Sequence, residues 1–415
     1  MRVFDGAESL EGATVIVRGG LIESIGVEVK APPDLPLVDG SGKTLVPGLI
    51  DAHTHSVGTE QTLNDALRFG VTTELNMAEG KDFARSHRPQ RDRIERTPFA
   101  DLWSSGPPAI GPGLTASPFA YEMPPVSSPE LAEEWVRARI AEGSDYIKIY
   151  YEPGGPLLPS VSQETLAALV AAAHAQGKLA VAHITALQGA RDVAAAGADG
   201  LAHAFGDAPI DEPLVQDMAS KHMFVVPTMT VILTTSAGEK AWRGITEDEH
   251  ISRYLTKAQL ATLTVFENVP FPAPVTVEHG VLLSVVRQLH AGGVDVIAGS
   301  DTSAPGTTHG ASLHGELALL VEAGLTPSQA LTAATKTTAV RFGLNDRGQI
   351  KPGLRADLLL VEGDPTGDVK ATRAIARIFK NGFEVDRTVP DVAPAPPPFG
   401  PPRSSPGGQI PQSQN

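Results

Sequence analysis

The chain of 415 residues contains no cysteine, which excludes disulfides and thiolate metal sites. Any metal must be held by histidine, carboxylates or a modified side chain. Basic residues are also in short supply: 33 Lys and Arg stand against 48 Asp and Glu, a formal net charge of −15. That balance repels nucleic acid and anionic membrane surfaces at long range, so neither is an expected partner. No stretch approaches the roughly 20 consecutive apolar residues that cross a bilayer. The opening segment, MRVFDGAESLEG, lacks the basic start and apolar stretch of a secretory signal. The expected setting is cytoplasmic.

Hydrophobic residues make up 41% and charged residues 20%, the balance of a globular protein with a sizeable core. The length suits one large domain and a smaller one. TVIVRGGLIESIGVEV, from Thr14 to Val29, reads as two short strands around Gly19-Gly20, and KTLVPG as another. Near the other end GQIKPGLRADLLLVEGDP and ARIFKNGFEVD again show short strands broken by Gly and Pro. Residues 1–47 and 346–387 are therefore expected to form one small β domain, an antiparallel sheet folded as a β-sandwich.

Between them, apolar runs alternate with helical stretches, the pattern of a parallel α/β architecture. The candidate strands are GLIDAHTH, VTTELNM, FADLWSS, DYIKIYY, KLAVAHI, GLAHAF, MFVVPTMT and DVIAGSD, eight in number. Segments such as SQETLAALVAAAHAQG and QGARDVAAAGAD close in a glycine suited to a helix C-terminus. Residues 48–345 thus fit a (β/α)8 TIM barrel, a fold of typically about 250 residues. After the seventh strand the rhythm breaks. An insertion over about residues 231–280, with VPFPAPV near its end, would lie on the face where strands terminate and could form a lid. The tail from 388 to 415 is rich in Pro and Gly and reads as disordered or as an extended arm.

Barrel enzymes carry their reactive groups at the C-terminal ends of the strands. Strand one ends in His53 and His55, strand four carries Lys148, strand five ends in His183, strand six in His203 and strand eight in Asp301. Residues two apart on a strand share a face, so His53 and His55 can bind one cation together. His183 and His203, from neighbouring strands, can bind another. Neutral imidazole suits zinc and its neighbours. Lys148 fits poorly as an ammonium beside two dications, since it has no lone pair to offer. Carboxylated on its Nζ it becomes an anionic group with two oxygens, able to bridge both metals. A water between two such ions loses its proton near neutral pH and becomes a nucleophile.

This ordered set resembles the amidohydrolase superfamily, in the subtype with two metals and a carboxylated lysine. PGLIDAHTH is similar to its first-strand signature. SDYIKIYY, KLAVAHI and DGLAHAF resemble the lysine, fifth-strand and sixth-strand blocks of its prolidase and imidazolonepropionase-like branch. AGSDT and LRADLLLVEGDP resemble the eighth-strand and C-terminal blocks, so the likeness covers roughly residues 1–387. The resemblance implies that His53, His55 and Asp301 hold the more buried metal and that His183 and His203 hold the second. Carboxylated Lys148 would bridge them. Asp301 would also move a proton from the nucleophile to the leaving group. Two divalent ions, zinc foremost, and N6-carboxylation of Lys148 are the implied cofactors.

The expected activity is hydrolysis of an amide-type C–N bond in a small molecule: a dipeptide or N-acyl amino acid, a urea, a carbamate or a lactam. Esters, lactones and phosphotriesters react through the same centre. A mononuclear deaminase on the same fold is the alternative. That family typically has a Glu three residues after the fifth-strand His, where this chain has Ala186. A scaffold without catalysis would be expected to have lost ligands. Tyr150 shares the face of Lys148 and either polarises a substrate carbonyl or packs at the rim. Met229 and Thr230, at the end of strand seven, and His309 are candidate substrate contacts. Arg243 and Arg253 are candidates for a substrate carboxylate. A homo-oligomer is the expected assembly.

Overall fold

The structure, a computed structural model, describes residues 1–114, 117, 121–155, 157–265 and 276–390. Sixteen strands are found among them. Five precede the central region: β1 (Arg2–Phe4), β2 (Ser9–Leu10), β3 (Thr14–Arg18), β4 (Leu21–Gly26) and β5 (Lys43–Pro47). The next four are β6 (Leu49–Thr54), β7 (Val71–Asn76), β8 (Asp101–Ser104) and β9 (Ile147–Tyr150). The central region then ends with β10 (Ala180–His183), β11 (Gly200–Ala202), β12 (Phe224–Val226) and β13 (Asp295–Val296). Three close the chain: β14 (Leu358–Glu362), β15 (Ile375–Lys380) and β16 (Phe383–Glu384).

All eight central strands fall where the sequence places them, in two parallel sheets, β6-β7-β8 and β13-β12-β11-β10-β9. Their edges are joined by further backbone bonds. Ala52 N–H donates to the Ala298 carbonyl at 2.9 Å and Asp301 N–H to that of His53 at 2.8 Å. On the other side Ala109 N–H donates to the Lys148 carbonyl at 2.8 Å, and Asp145 N–H to that of Ser104 at 2.8 Å. The apolar residues separate by the two-residue period of a strand. On β10 to β12, Ala182, Leu201 and Val225 belong to the large cluster that packs on helices through Leu166, Val193 and Leu214. Their neighbours Val181, Ala202, Phe224 and Val226 join a second cluster with Ile50 on β6 and Leu75 on β7. Both parallel sheets therefore share one inner core.

The helices obey local signals. The helix Gln163–Ala175 starts at Ser162, whose Oγ accepts from Thr165 N–H at 3.2 Å, and Gly177 follows its end at φ +64°. The helix Leu187–Ala196 stops at Gly197, φ +77°, a conformation that costs a side chain dearly. No helix among the described residues is long and apolar enough to cross a membrane.

The terminal segments pair as expected, in a six-stranded sheet of order β16-β15-β14-β5-β1-β2, beside the separate hairpin β3-β4. The sheet is not purely antiparallel, because β1 runs parallel to β5. The link from β1 to β5 contains the β3-β4 hairpin, which brings the chain back in the same direction. Sheet and hairpin share a small core of Val3, Leu45, Ile22 and Leu358. A buried ion network ties this sheet to the central strands. Lys380 Nζ reaches Asp101 Oδ2 at 2.6 Å and Asp357 Oδ2 at 2.7 Å, and Arg347 Nη1 reaches Asp101 Oδ2 at 2.5 Å.

The insertion after β12 is helical where it is described, at Met229–Thr235, Arg243–Thr246, Glu249–Ser252 and Lys257–Leu263. Trp242, Ile245, Ile251 and Leu263 pack on Phe69 and Ala311. No described residue of this insertion lines the cavity treated below. The VPFPAPV stretch and the tail from 391 lie outside the described residues.

Candidate active site

The six strand-end groups singled out in the sequence line one cavity of about 140 Å³. His53 and His55 sit at the end of β6, Lys148 on β9 and His183 at the end of β10; His203 and Asp301 follow β11 and β13. Asp301 Oδ1 lies 3.2 Å from His53 Nε2 and 3.0 Å from His55 Nε2. One ligand atom from each of His53, His203 and Asp301 falls within 4.8 Å of the others. The His183 and His203 ring centroids are 4.6 Å apart, and those of His53 and His203 4.8 Å.

Each side chain is held by its element. The Asp51 carboxylate accepts from the N–H groups of His53 (3.1 Å) and Ser300 (3.0 Å), tying the first strand to the stretch before Asp301. Gly299 lies so close that a Cβ would meet His53 N at 2.8 Å. His203 and Asp301 take φ of +88° and +54°, a left-handed backbone that non-glycine residues adopt only where the surroundings enforce it. His203 Nδ1 bonds Thr228 Oγ1 at 2.7 Å, which fixes the ring and leaves Nε2 for the cavity.

Burial pushes His53 and His203 well below the usual imidazole range, with neighbouring positive charges adding to the effect. The rings are thus neutral, with lone pairs to donate. Burial also lowers the Lys148 amine to about 7 against the attraction of Asp301. Its Nζ is buried without a hydrogen-bond partner among the described residues, as is His53 Nδ1. An unpartnered buried amine is costly, and one titrating near neutrality is chemically available. Burial alone would raise Asp301, but the His55 hydrogen bond and the surrounding positive charges hold its carboxyl below the ordinary value. A neutral-imidazole, carboxylate and amine set with orphaned nitrogens fits divalent metal ions.

Tyr150 lines the cavity and stacks on His183 at 4.4 Å, while its hydroxyl donates to Glu152. Glu152 was not anticipated. Its Oε2 lies 3.7 Å from His183 Nε2 and its Oε1 accepts from Thr185 Oγ1 at 2.7 Å. Burial works against this carboxylate, yet His183, Tyr150 and Thr185 together bring it down to about 2. Its position, two after Tyr150 and four after Lys148, was the available signal.

Five anticipated contacts are not brought to the cavity. Met229 is fully buried in the large core, because Thr228 takes φ +50° and turns the chain into a helix whose first N–H groups donate to Glu316 at 2.9 Å. Thr230 is buried there with it. His309 is buried against Glu74, Nδ1 to Oε1 2.7 Å, and does not line the cavity. Arg253 stacks over Tyr254 at 5.0 Å and Arg243 lies 5.8 Å from the Trp242 ring, neither at the cavity.

The model of the amidohydrolase family matches residues 44–391. The chain belongs to this family. It is 28% identical over 411 residues to an imidazolonepropionase of Deinococcus radiodurans, covering 91% of this chain and 92% of that one. Its fold is similar to that of a Xaa-Pro dipeptidase crystallised with methionine in the active site, at TM-score 0.72 and 23% identity over 93% of this chain and 98% of that one. Molinate hydrolase has a similar fold, at TM-score 0.69 and 19% identity, with 93% of each chain covered. Within the amidohydrolases the chain is thus similar in sequence to an imidazolonepropionase and in fold to a prolidase-like enzyme. Membership supports a hydrolase acting on carbon–nitrogen bonds.

Proposed function

We propose that the chain is a two-metal hydrolase of amide-type C–N bonds in small molecules: dipeptides or N-acyl amino acids, ureas, carbamates or lactams. The observation that carries this is the convergence of four imidazoles, Asp301 and the partnerless Lys148 amine on one cavity. We read the two parallel sheets as one closed (β/α)8 barrel spanning 48–345, which the bonds across both edges and the shared inner core support. The flanking segments, 1–47 and 346–387, are read as one β-sandwich domain.

His53, His55 and Asp301 would hold one divalent ion and His183 and His203 the other, with zinc the first candidate from neutral imidazole donors. Two such ions would polarise a scissile carbonyl and acidify a water so that it attacks near neutral pH. Lys148 would join both as a carbamate: the neutral amine adds carbon dioxide and releases one proton. Burial favours the free amine, the form that adds carbon dioxide, and the ions would offset the charge of the carbamate. Asp301, already in contact with two imidazoles, is placed to accept the proton of the attacking water and return it to the departing nitrogen. The Tyr150 hydroxyl, held by Glu152, sits at the cavity wall where a substrate carbonyl oxygen would be oriented.

The mononuclear deaminase reading draws on the His53, His203 and Asp301 trio, which one ion would satisfy. Ala186 in place of a carboxylate, and Lys148 in the cavity, count against it. Amine release from a panel of amides, carbamates, ureas and lactams, with zinc supplied, tests the proposal. Release from at least one class is expected, and its loss by about 10²–10⁴ in Asp301→Asn while metal stays bound. Near-normal turnover in that variant, or no release from any class, contradicts the proposal.

A further inference from the structure

Apart from the groups already assigned, and from Ser303 and Tyr121, the cavity wall is apolar. Val57, Met77, Pro108, Leu157, Leu158 and Ala304 supply most of it. Tyr121 closes one side, its phenol pushed up by burial and then by the nearby charge of Glu79. Lys148 is the sole Lys or Arg among the described lining residues. The internal segments outside the description, 115–116, 118–120, 156 and 266–275, contain no Lys, Arg or His in the sequence, and the tail from 391 has the single Arg403.

The charged groups bordering the wall are acidic. Glu152 stands behind Tyr150 and His183, and Glu79 accepts from Gly58 N–H at 3.1 Å beside Val57. A carboxylate held against this wall, away from the metal ligands, loses its hydration without gaining a cationic side chain, a cost that an uncharged group avoids. The volume limits that group to about one ring, since an apolar cavity of roughly 150 Å³ accommodates benzene.

We infer that this site takes an uncharged substrate carrying a ring-sized apolar group next to the scissile bond, of the anilide, aryl carbamate or aryl urea class, and discriminates against substrates bearing a free carboxylate there. The inference rests on the two-metal reading, which engages Lys148 with the metals and not with substrate. Within the proposed reaction it favours aryl amides, carbamates and ureas over dipeptides and N-acyl amino acids.

The test separates binding from turnover. Acetophenone and 3-acetylbenzoate have the same carbonyl and ring, differ by one carboxylate and have no bond to hydrolyse. Calorimetry on the metal-loaded protein should show the neutral ketone binding at least about tenfold more tightly. Equal affinity, tighter binding of the benzoate, or binding of neither overturns the inference. In Leu157→Arg, at a position 55% exposed and tolerant of charge, the preference should narrow or reverse. A preference unchanged in that variant also counts against the inference. Acetanilide and 3-acetamidobenzoate, followed by amine release, then report on the chemistry. A binding preference without amine release from either contradicts the hydrolase reading and leaves the pocket assignment standing.

Discussion

Under the two-metal proposal, Lys148 decides how many ions the site holds. Its face on β9 followed from strand periodicity, and its buried, partnerless Nζ is the structural counterpart of an odd choice in the sequence. Lys148→Ala should lose the capacity for two ions, with turnover partly restored by a short carboxylic acid; full metal content in the variant would contradict the carbamate. Glu152 carries the next expectation. Glu152→Gln removes the charge facing His183 and one of the two oxygens that accept from Tyr150 and Thr185, so kcat should fall about 10–100-fold with the fold intact. Unchanged kcat would reduce Glu152 to a packing residue. The six strand-end groups were legible because β-strands place alternate residues on one face. Glu152 follows the same alternation but lies past the last strand residue, where the pattern is usually no guide. That Met229 and His309 do not line the cavity was not legible, because a turn at Thr228 and a buried partner in Glu74 leave no periodic trace.

At the scale of elements, buried polar residues fix how helices and sheets meet. His314, in the helix Ala311–Glu322, bonds Thr372 Oγ1 through Nδ1 and donates from Nε2 to the Phe69 carbonyl, both at 2.9 Å. Burial, outweighing the Phe69 bond and aided by Arg373 and Arg387, lowers its pKa to about 4 from 6.5. Between those values the unfolded chain binds a proton that the folded chain does not. Stability therefore falls as pH drops from 6.5 toward 4. Urea midpoints compared with those of His314→Gln should show a wild-type loss over that window that the variant lacks. The Lys380 network makes a sharper case. Lys380→Met leaves Asp357 without its buried cation and weakens the neutralisation of Asp101, for an expected loss of about 3–5 kcal/mol by urea denaturation. A change below about 1 kcal/mol, the scale of an exposed pair, would contradict that assignment. Every central strand was readable from apolar runs bounded by glycine and helix signals. The parallel pairing of β1 with β5 was not, because three-residue strands carry no directional signal and the hairpin between them decides the path.

At the scale of the whole chain, two terminal segments far apart in sequence build one sheet, and five of the eight central strands deliver six distant side chains to one cavity. That delivery is what the order of motifs encodes. Substrate preference is less visible in the sequence, because the wall assembles from loops such as Val57, Pro108 and Leu157 that carry no common motif. The central claim is a centre of two ions. Elemental mass spectrometry on protein purified without added metal tests it most directly, and about two ions per chain are predicted. About one ion per chain, with no second taken up when zinc and bicarbonate are supplied, would contradict it.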